Sequence, residues 1–383
     1  MAKTNIVDWT TITNFVIDAF VGYGIPREDA EICADVLLES DKRGIESHGC
    51  NRFKPVYLDR IKAGIQNPVT NITVVKETET TAVLDGNHGM GQVIGYKAMS
   101  MAIEKAKRYG MGMVVVRNSC HYGIAGYYTS MATKAGCIGM TGTNARPTVA
   151  PTFGVKGAFG TNPLTLGVPT DEVFDFNFDA ASSTYQNGKL EYYSRIGKDA
   201  PAGALVGVDG EAYEGRADEA LKAMARGEAA LCTLGGPGEE GCGYKGYGFA
   251  MFVELLSAVL QDGHYGQYLT GRMKTEISVP LVLVTSLSPL TPTISLARIS
   301  AARRQATSSA RSAPPRRRPA PSASTVQARR STRSVLHVTQ ACRSTSRCKR
   351  SSSPSATSWV LRSISSPLRT DPHQKQRTEN SVL

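Results

Sequence analysis

Gly236-Pro-Gly-Glu-Glu-Gly241 has the glycine spacing of a dinucleotide phosphate loop, and its reading decides what fold this 383-residue chain builds. A Rossmann phosphate loop follows a strand, opens a helix inside a βαβ unit, and is trailed by an acid that reads the ribose. Here Pro237 stands where the turn must bend, and Glu239 and Glu240 stand where a pyrophosphate would be repelled. The stretch that does alternate strand, helix and strand lies far upstream, at 81–142. A standard Rossmann site is therefore not expected. The glycines instead read as a flexible loop leading into a second glycine-rich run, Gly243-Tyr-Lys-Gly-Tyr-Gly248. That run sets Lys245 among backbone amides just before a long apolar helix, expected over 247–260. Helix-end donors plus one cation hold anions in such settings; the alternative is a turn with a solvated lysine.

Upstream of this region the periodicity is clear. The first 65 residues read as helical: Pro26 suits a first helical position, Ala30, Cys33, Ala34 and Leu37 share a helical face, and Gly44 ends the segment. A further helix is expected from Phe53 to Ala63, closed by Gly64. Strands are expected at 72–75, 81–84, 113–116, 137–141, 163–168 and 174–179, with helices over 92–109 and 124–135.

Charge is divided unevenly along the chain. The first 277 residues carry a net −5 and the remainder +16, which together make the formal +11. The body is thus mildly acidic, like a soluble enzyme. Eight cysteines include no Cys-x-x-Cys and no zinc-like pairing with histidine, which suggests reduced, mostly buried thiols and no metal centre. Without a signal-peptide run or a bilayer-spanning stretch, the protein is expected to be soluble and cytoplasmic. From Ser278 onward Ser, Arg, Pro, Ala and Thr come to dominate, with Arg316-Arg317-Arg318 and repeated Arg-Ser pairs. Such sequence buries too little apolar surface to offset its chain entropy, so 278–383 is expected to be disordered. The change is abrupt enough to read as translation in a wrong frame. The alternative is a genuine basic tail, which lacks the aromatic interleaving of a nucleic-acid binder.

Two short stretches carry the chemistry. Residues 47–52 read Ser-His-Gly-Cys-Asn-Arg, and a second histidine stands in Asn118-Ser119-Cys120-His121-Tyr122-Gly123. If the first stretch is helical, His48 and Arg52 share one face. A proton-transferring imidazole beside a fixed fork of donors suits a small carboxylate whose neighbouring carbon changes oxidation state. A helix end with an ordinary surface histidine and arginine is the plainer alternative. His121 follows a buried strand, where a rigid scaffold tends to hold catalytic groups. His88 reads as a turn residue. Asp179 ends the strand Phe174-Asp-Phe-Asn-Phe-Asp, where it could fix an imidazole tautomer or cap the next turn.

Taken together, Ser47-His48-Gly49-x-x-Arg52, Arg117-Asn-Ser-x-His121-Tyr-Gly-Ile-Ala-Gly-Tyr-Tyr128, Gly160-Thr-Asn-Pro163, Phe178-Asp179-x-Ala-x-Ser183 and Lys245-Gly-Tyr-Gly248 resemble the type 2 malate/L-lactate dehydrogenases in order and spacing. The resemblance covers roughly 8–276. Leu190-Glu-Tyr-Tyr-Ser-Arg-Ile-Gly-Lys-Asp-Ala-Pro201 and Leu234-Gly-Gly look most like the malate and sulfolactate branch.

What this resemblance implies is an α/β fold of non-Rossmann type, with a largely antiparallel sheet and an N-terminal helical region. It would comprise a helical region 1–70 bearing the substrate motif, an NAD(P)- and substrate-binding region 71–277, and the tail 278–383. It also implies a homodimer. The activity implied is hydride transfer between NAD or NADP and C2 of a small 2-hydroxy or 2-oxo acid, most of all malate; lactate, sulfolactate, ureidoglycolate and cyclic imine acids are the family's alternatives. By position, His48 or His121 would be the acid/base with Asp179 close by. Ser47, Arg52 and Asn144 would meet substrate. Thr143, Phe176, Phe178, Asp179, Ala180, Ser182, Tyr244 and Lys245 would meet cofactor. The chain departs from the family pattern at Ala180-Ala-Ser and at Tyr244. After 276 the strand and helices that the family carries there are not recognisable.

Overall fold

The computed structural model describes residues 6–269 and the strand at 280–286. Helix α1 (Trp9–Gly22) starts where the Asp8 carboxylate accepts the Thr11 N–H at 2.9 Å, a side-chain N-cap. Helix α2 (Arg27–Lys42) follows Pro26, carries Glu28 and Asp29 in its first turn and Lys42 in its last, and so complements its own dipole. The next segment is not one regular helix. Short α3 (Cys50–Arg52) runs into a π-helix (Phe53–Leu58) and then α4 (Asp59–Lys62). Gly64, at φ 70°, ends it as the sequence anticipates. The apolar faces of these helices meet in one core of Val16, Phe20, Cys33, Leu37 and Tyr57, joined by Met90 and Val93.

Strands β1 (Thr73–Glu77) and β2 (Thr81–Asp85) form a hairpin. Helix α5 (Gly91–Tyr109) then crosses over to β3 (Met111–Arg117), which runs parallel to β2. Helix α6 (Ala125–Lys134), β4 (Cys137–Thr143), β5 (Leu164–Val168) and β6 (Phe176–Ala180) follow in order. Beyond them come α7 (Asn187–Arg195), β7 (Leu205–Gly207), α8 (Ala217–Arg226), β8 (Ala229–Leu231), α9 (Gly243–Val259) and β9 (Pro280–Ser286). The main sheet has the order β1-β2-β3-β9-β4-β5-β6, and β7 pairs separately with β8. Every neighbouring pair in the main sheet except β2–β3 is antiparallel. The fold is thus α/β with a largely antiparallel sheet, as the sequence motifs imply.

Glycines let helices lie close on both faces. A Cβ on Gly139 of β4 would come within 2.6 Å of Ala132 on α6, and one on Gly142 would lie 3.5 Å from Val253 on α9. Positions 139 and 142 point to opposite sides of a strand, so α6 covers one face of β4 and α9 the other.

Residues 280–286 are a strand at the centre of the sheet, paired with β3 on one side and β4 on the other, and are not part of a disordered tail. Pro280-Leu-Val-Leu-Val is a short apolar run of the kind central strands use, too brief to show a period. The rest of the proposed tail, 278–279 and 287–383, lies outside the described residues. Among the described residues no helix is long and apolar enough to cross a membrane, no three potential metal ligands cluster, and the six cysteines are unpaired.

Candidate active site

The Ser47-His48-Gly49 stretch folds as a turn ahead of α3 rather than as part of a helix, so His48 and Arg52 do not meet through a shared helical face. They meet because Arg52 folds back. Its Nε donates to the Ser47 carbonyl at 2.9 Å, and its Nη1 pairs with Glu191 of α7 at 2.8 Å. Two glycines make this possible. A Cβ on Gly188 would stand 2.1 Å from Arg52 Nη2, and one on Gly49 would stand 1.9 Å from the Asp41 carboxylate, which accepts the Cys50 N–H.

His121 comes in on the loop between β3 and α6. Its ring stacks near-parallel on His48, with centroids 5.7 Å apart. His48 Nδ1 shares a 2.8 Å hydrogen bond with the Ser47 hydroxyl, and His121 Nδ1 shares one of 2.7 Å with the Tyr57 hydroxyl. Among the described residues, neither Nε2 makes a hydrogen bond. Both rings keep part of their surface exposed, yet protein surrounds them closely enough to disfavour charge. Burial, with Arg52 adding to it, brings the His48 pKa down to about 4. Burial pushes His121 well below the usual imidazole value, and His48, Arg60, Arg52 and Arg146 push it further. Both imidazoles are therefore uncharged at neutral pH. Arg60 and Arg146 thus belong to the same neighbourhood, and Arg60 has its own pKa lowered by burial and by Arg146.

Asp179 is placed differently from the expectation. It sits on the exposed edge strand β6, but its carboxylate turns inward to accept the Gly126 N–H of α6 at 2.8 Å and the Thr165 hydroxyl at 2.9 Å. Burial of that carboxylate raises its pKa despite both bonds. It is hydrogen-bonded to neither imidazole and holds the first turn of α6, an earlier element than the following turn it was expected to cap. Asn144 is buried at the end of β4, and its amide donates to Glu254 at 3.3 Å and to the His264 carbonyl at 3.0 Å. Thr143 is buried beside it and donates to the Asn144 carbonyl.

Ser182 and the first turn of α9 meet at Leu234. Ser182 is buried, its hydroxyl donates to the Thr161 carbonyl, and its own carbonyl accepts the Leu234 N–H at 2.9 Å. A Cβ on Gly246 would lie 2.4 Å from Leu234 N, so the first turn of α9 packs directly on that residue. Tyr244 and Lys245 occupy this turn with their side chains exposed, and Phe176 and Phe178 are exposed on β6, where Ala180 is half-buried. The spacing Gly-x-Gly-x-x-Gly recurs at Gly241, Gly243 and Gly246, where it opens α9. The glycines of 235–243 are not a slack loop, since a Cβ on Gly241 would meet the Gly235 carbonyl at 1.9 Å.

Sequence reading missed Tyr57, Arg60, Arg146, Gly188 and Glu191. Gly188 and Glu191 reach the site from a helix more than a hundred residues away, and no local pattern marks them. Tyr57 reads as core because its ring is core; only its hydroxyl reaches the site.

Comparison with known proteins agrees with this architecture. Malate dehydrogenase of Pyrococcus horikoshii is 44% identical over 256 residues, 67% of this chain and 69% of the relative. L-Sulfolactate dehydrogenase of Methanocaldococcus jannaschii is 40% identical over 244 residues, 64% of this chain and 66% of the relative. The crystal structure of malate dehydrogenase from Entamoeba histolytica superposes with a TM-score of 0.72 at 42% identity, covering 74% of this chain and 80% of that one. The sequence model of the malate/L-lactate dehydrogenases matches residues 7–327, past the end of the recognisable motifs and across β9. The chain belongs to the malate/L-lactate dehydrogenase family.

Proposed function

We propose that this protein is an NAD(P)-dependent oxidoreductase acting on C2 of a small 2-hydroxy/2-oxo acid, with malate and oxaloacetate as the preferred pair. The observation that carries this reading is the stacked pair of neutral imidazoles beside Arg52. An uncharged imidazole accepts the hydroxyl proton as the alcohol is oxidised and returns it in the reverse direction. Arg52 is already aimed by Ser47 and Glu191 and presents its fork to the C1 carboxylate. Ser47, buried and bonded to His48, keeps that ring in place.

The preference for a diacid rests on Arg60 and Arg146, which add two positive charges near His121. Lactate offers them nothing, whereas malate and sulfolactate carry a second acidic group. Sulfolactate dehydrogenase activity is the nearest alternative, and relatives of both kinds exist.

For the cofactor, the residues present fit. Lys245 lies exposed in the first turn of α9, where the positive end of the helix dipole and a lysine suit phosphate, and the exposed rings of Phe176, Phe178 and Tyr244 suit flat heteroaromatic groups. Thr143, Asp179, Ala180 and Ser182 complete the surround by position. When bound, a nicotinamide supplies the hydride acceptor or donor at C2. We further propose a homodimer in the cytoplasm. Phe249, Phe252, Leu255 and Val259 form an exposed apolar face on α9 that supports self-association.

The test is NADH and NADPH oxidation with oxaloacetate, pyruvate, 3-sulfopyruvate and a cyclic imine acid. Oxaloacetate should be reduced fastest. Reduction of none of them above background overturns the reading, and pyruvate reduced as well as oxaloacetate removes the role given to Arg60 and Arg146.

A further inference from the structure

The π-helix at 53–58 sits directly between Arg52 and Arg60, in the segment that also carries Tyr57. Its hydrogen bonds run from i+5 to i, as from the Asp59 N–H to the Lys54 carbonyl. Such wide turns are uncommon and recur at functional sites. In an α-helix, residue 57 would lie well around the axis from residue 52. A turn of i+5 spacing brings the two close to one line, so Arg52 and Tyr57 both reach the histidine pair.

The Tyr57 ring is wholly buried in the N-terminal core, edge-on to Phe20 at 6.2 Å and to His121 at 5.6 Å. Burial raises its pKa, so the hydroxyl keeps its proton at any working pH. That hydroxyl lies 2.7 Å from His121 Nδ1. The same nitrogen receives a second bond, from the Gly123 N–H at 3.3 Å. A backbone amide can only donate. The amide thus points to Nδ1 as the unprotonated nitrogen, with the Tyr57 hydroxyl donating to it as well. The ring proton is left on Nε2, because the partner of one imidazole nitrogen sets the state of the other. Gly123 holds its place at φ +84°, where a Cβ would also strike Val36 at 2.6 Å. His48 differs: its Nδ1 faces a serine hydroxyl that can donate or accept, so its tautomer is free to change.

We propose that Tyr57 is a positioning residue which, together with the Gly123 amide, holds His121 as the Nε2–H tautomer, so that His121 donates a hydrogen bond to the C2 oxygen of the substrate while His48 exchanges the proton. This rests on the oxidoreductase reading for its substrate but not for its tautomer. A neutral ring with its proton on Nε2 cannot accept another there; it can polarise a carbonyl. His48 then takes the hydroxyl proton during oxidation and returns it during reduction, and the two stacked rings divide the work.

The tautomer can be read without any turnover. Histidine-selective ¹⁵N labelling of the full chain, with two-bond ¹H–¹⁵N correlation at pH 7.5, distinguishes Nδ1–H from Nε2–H rings. The wild-type His121 should appear as a pure Nε2–H form, and Tyr57→Phe, which keeps the buried ring, should introduce an Nδ1–H fraction. In the same variant kcat for 2-oxo acid reduction should fall about tenfold, the loss of one well-placed hydrogen bond, while KM stays within about twofold. An Nδ1–H ring in the wild type overturns the proposal whatever the variant does. So does a Tyr57→Phe protein whose His121 spectrum and kcat are both unchanged. If the tautomer behaves as expected but no 2-oxo acid is reduced by the wild type, Tyr57 positions His121 as described and the oxidoreductase reading is what fails.

Discussion

His48 shows how burial sets chemistry at one side chain. In water an imidazole is half charged near pH 6.5; here burial, with the Arg52 guanidinium beside it, brings the midpoint to about 4. The neutral form needed to accept a proton therefore persists far into the acid range. For oxidation of the hydroxy acid, kcat/KM reports the free enzyme, and its acid limb should lie near pH 4, with a flat profile from about pH 5 to 7. An initial-rate series across pH 4–8 checks this; a limb centred near 6.5 would show that His48 is hydrated like a surface residue. The same depression acts on stability. The unfolded chain takes up a proton below about 6.5 that the folded ring refuses, so this contribution is whole above that pH and is lost as pH falls toward about 4. The identities of His48, His121 and Arg52 were legible in the sequence. Their mutual geometry was not, because it depends on a backbone carbonyl at Ser47, a missing side chain at Gly188 and a π-turn. None of these has a periodic signature.

Among elements, the long helices and the strands with clear apolar runs stood where periodicity placed them. Between 181 and 242 periodicity predicts no helix or strand. The three-residue strands β7 and β8 are too short for a period, but α8 carried a signal that could have been used. Ala217, Ala220 and Ala223 are buried at three-residue spacing, acids fill the first turn, and Gly227 adopts φ +75° just after Arg226. The junction of α6 with β6 shows what one side chain contributes to an element. The Asp179 carboxylate satisfies the Gly126 N–H in the first turn of α6 and the Thr165 hydroxyl on β5. Asp179→Ala should lower unfolding free energy by about 1–3 kcal/mol, the usual cost of orphaning bonded groups. Asp179→Asn should recover part of that, since an amide oxygen can still accept one of the two bonds. Urea denaturation of both variants is the measurement. Equal stability of the alanine variant and the wild type would mean that α6 is held by something else.

The molecule as a whole depends on a strand that composition concealed. With β9 removed, β1-β2-β3 and β4-β5-β6 share no strand pairing. The arginine- and serine-rich sequence downstream drew the boundary at 277, three residues before the strand that joins the halves. Truncation after 277 should therefore fail to give a stable body. We expect loss of the cooperative thermal transition and self-association through the freed edges of β3 and β4, followed by circular dichroism and size-exclusion chromatography. A monomeric truncation that unfolds cooperatively would make β9 dispensable.

The place of β9 also has a consequence in time. A ribosome finishes β4 at Thr143 and does not reach Pro280 until it has added the whole span between them. At roughly 5–20 residues per second that is on the order of ten seconds, whereas hairpins and helices form within microseconds. Throughout that interval the nascent chain can build both flanks of its sheet but not the seam between them. Two apolar strands then wait with open edges for a partner not yet synthesised. Those edges need cover during synthesis as well as in the finished fold.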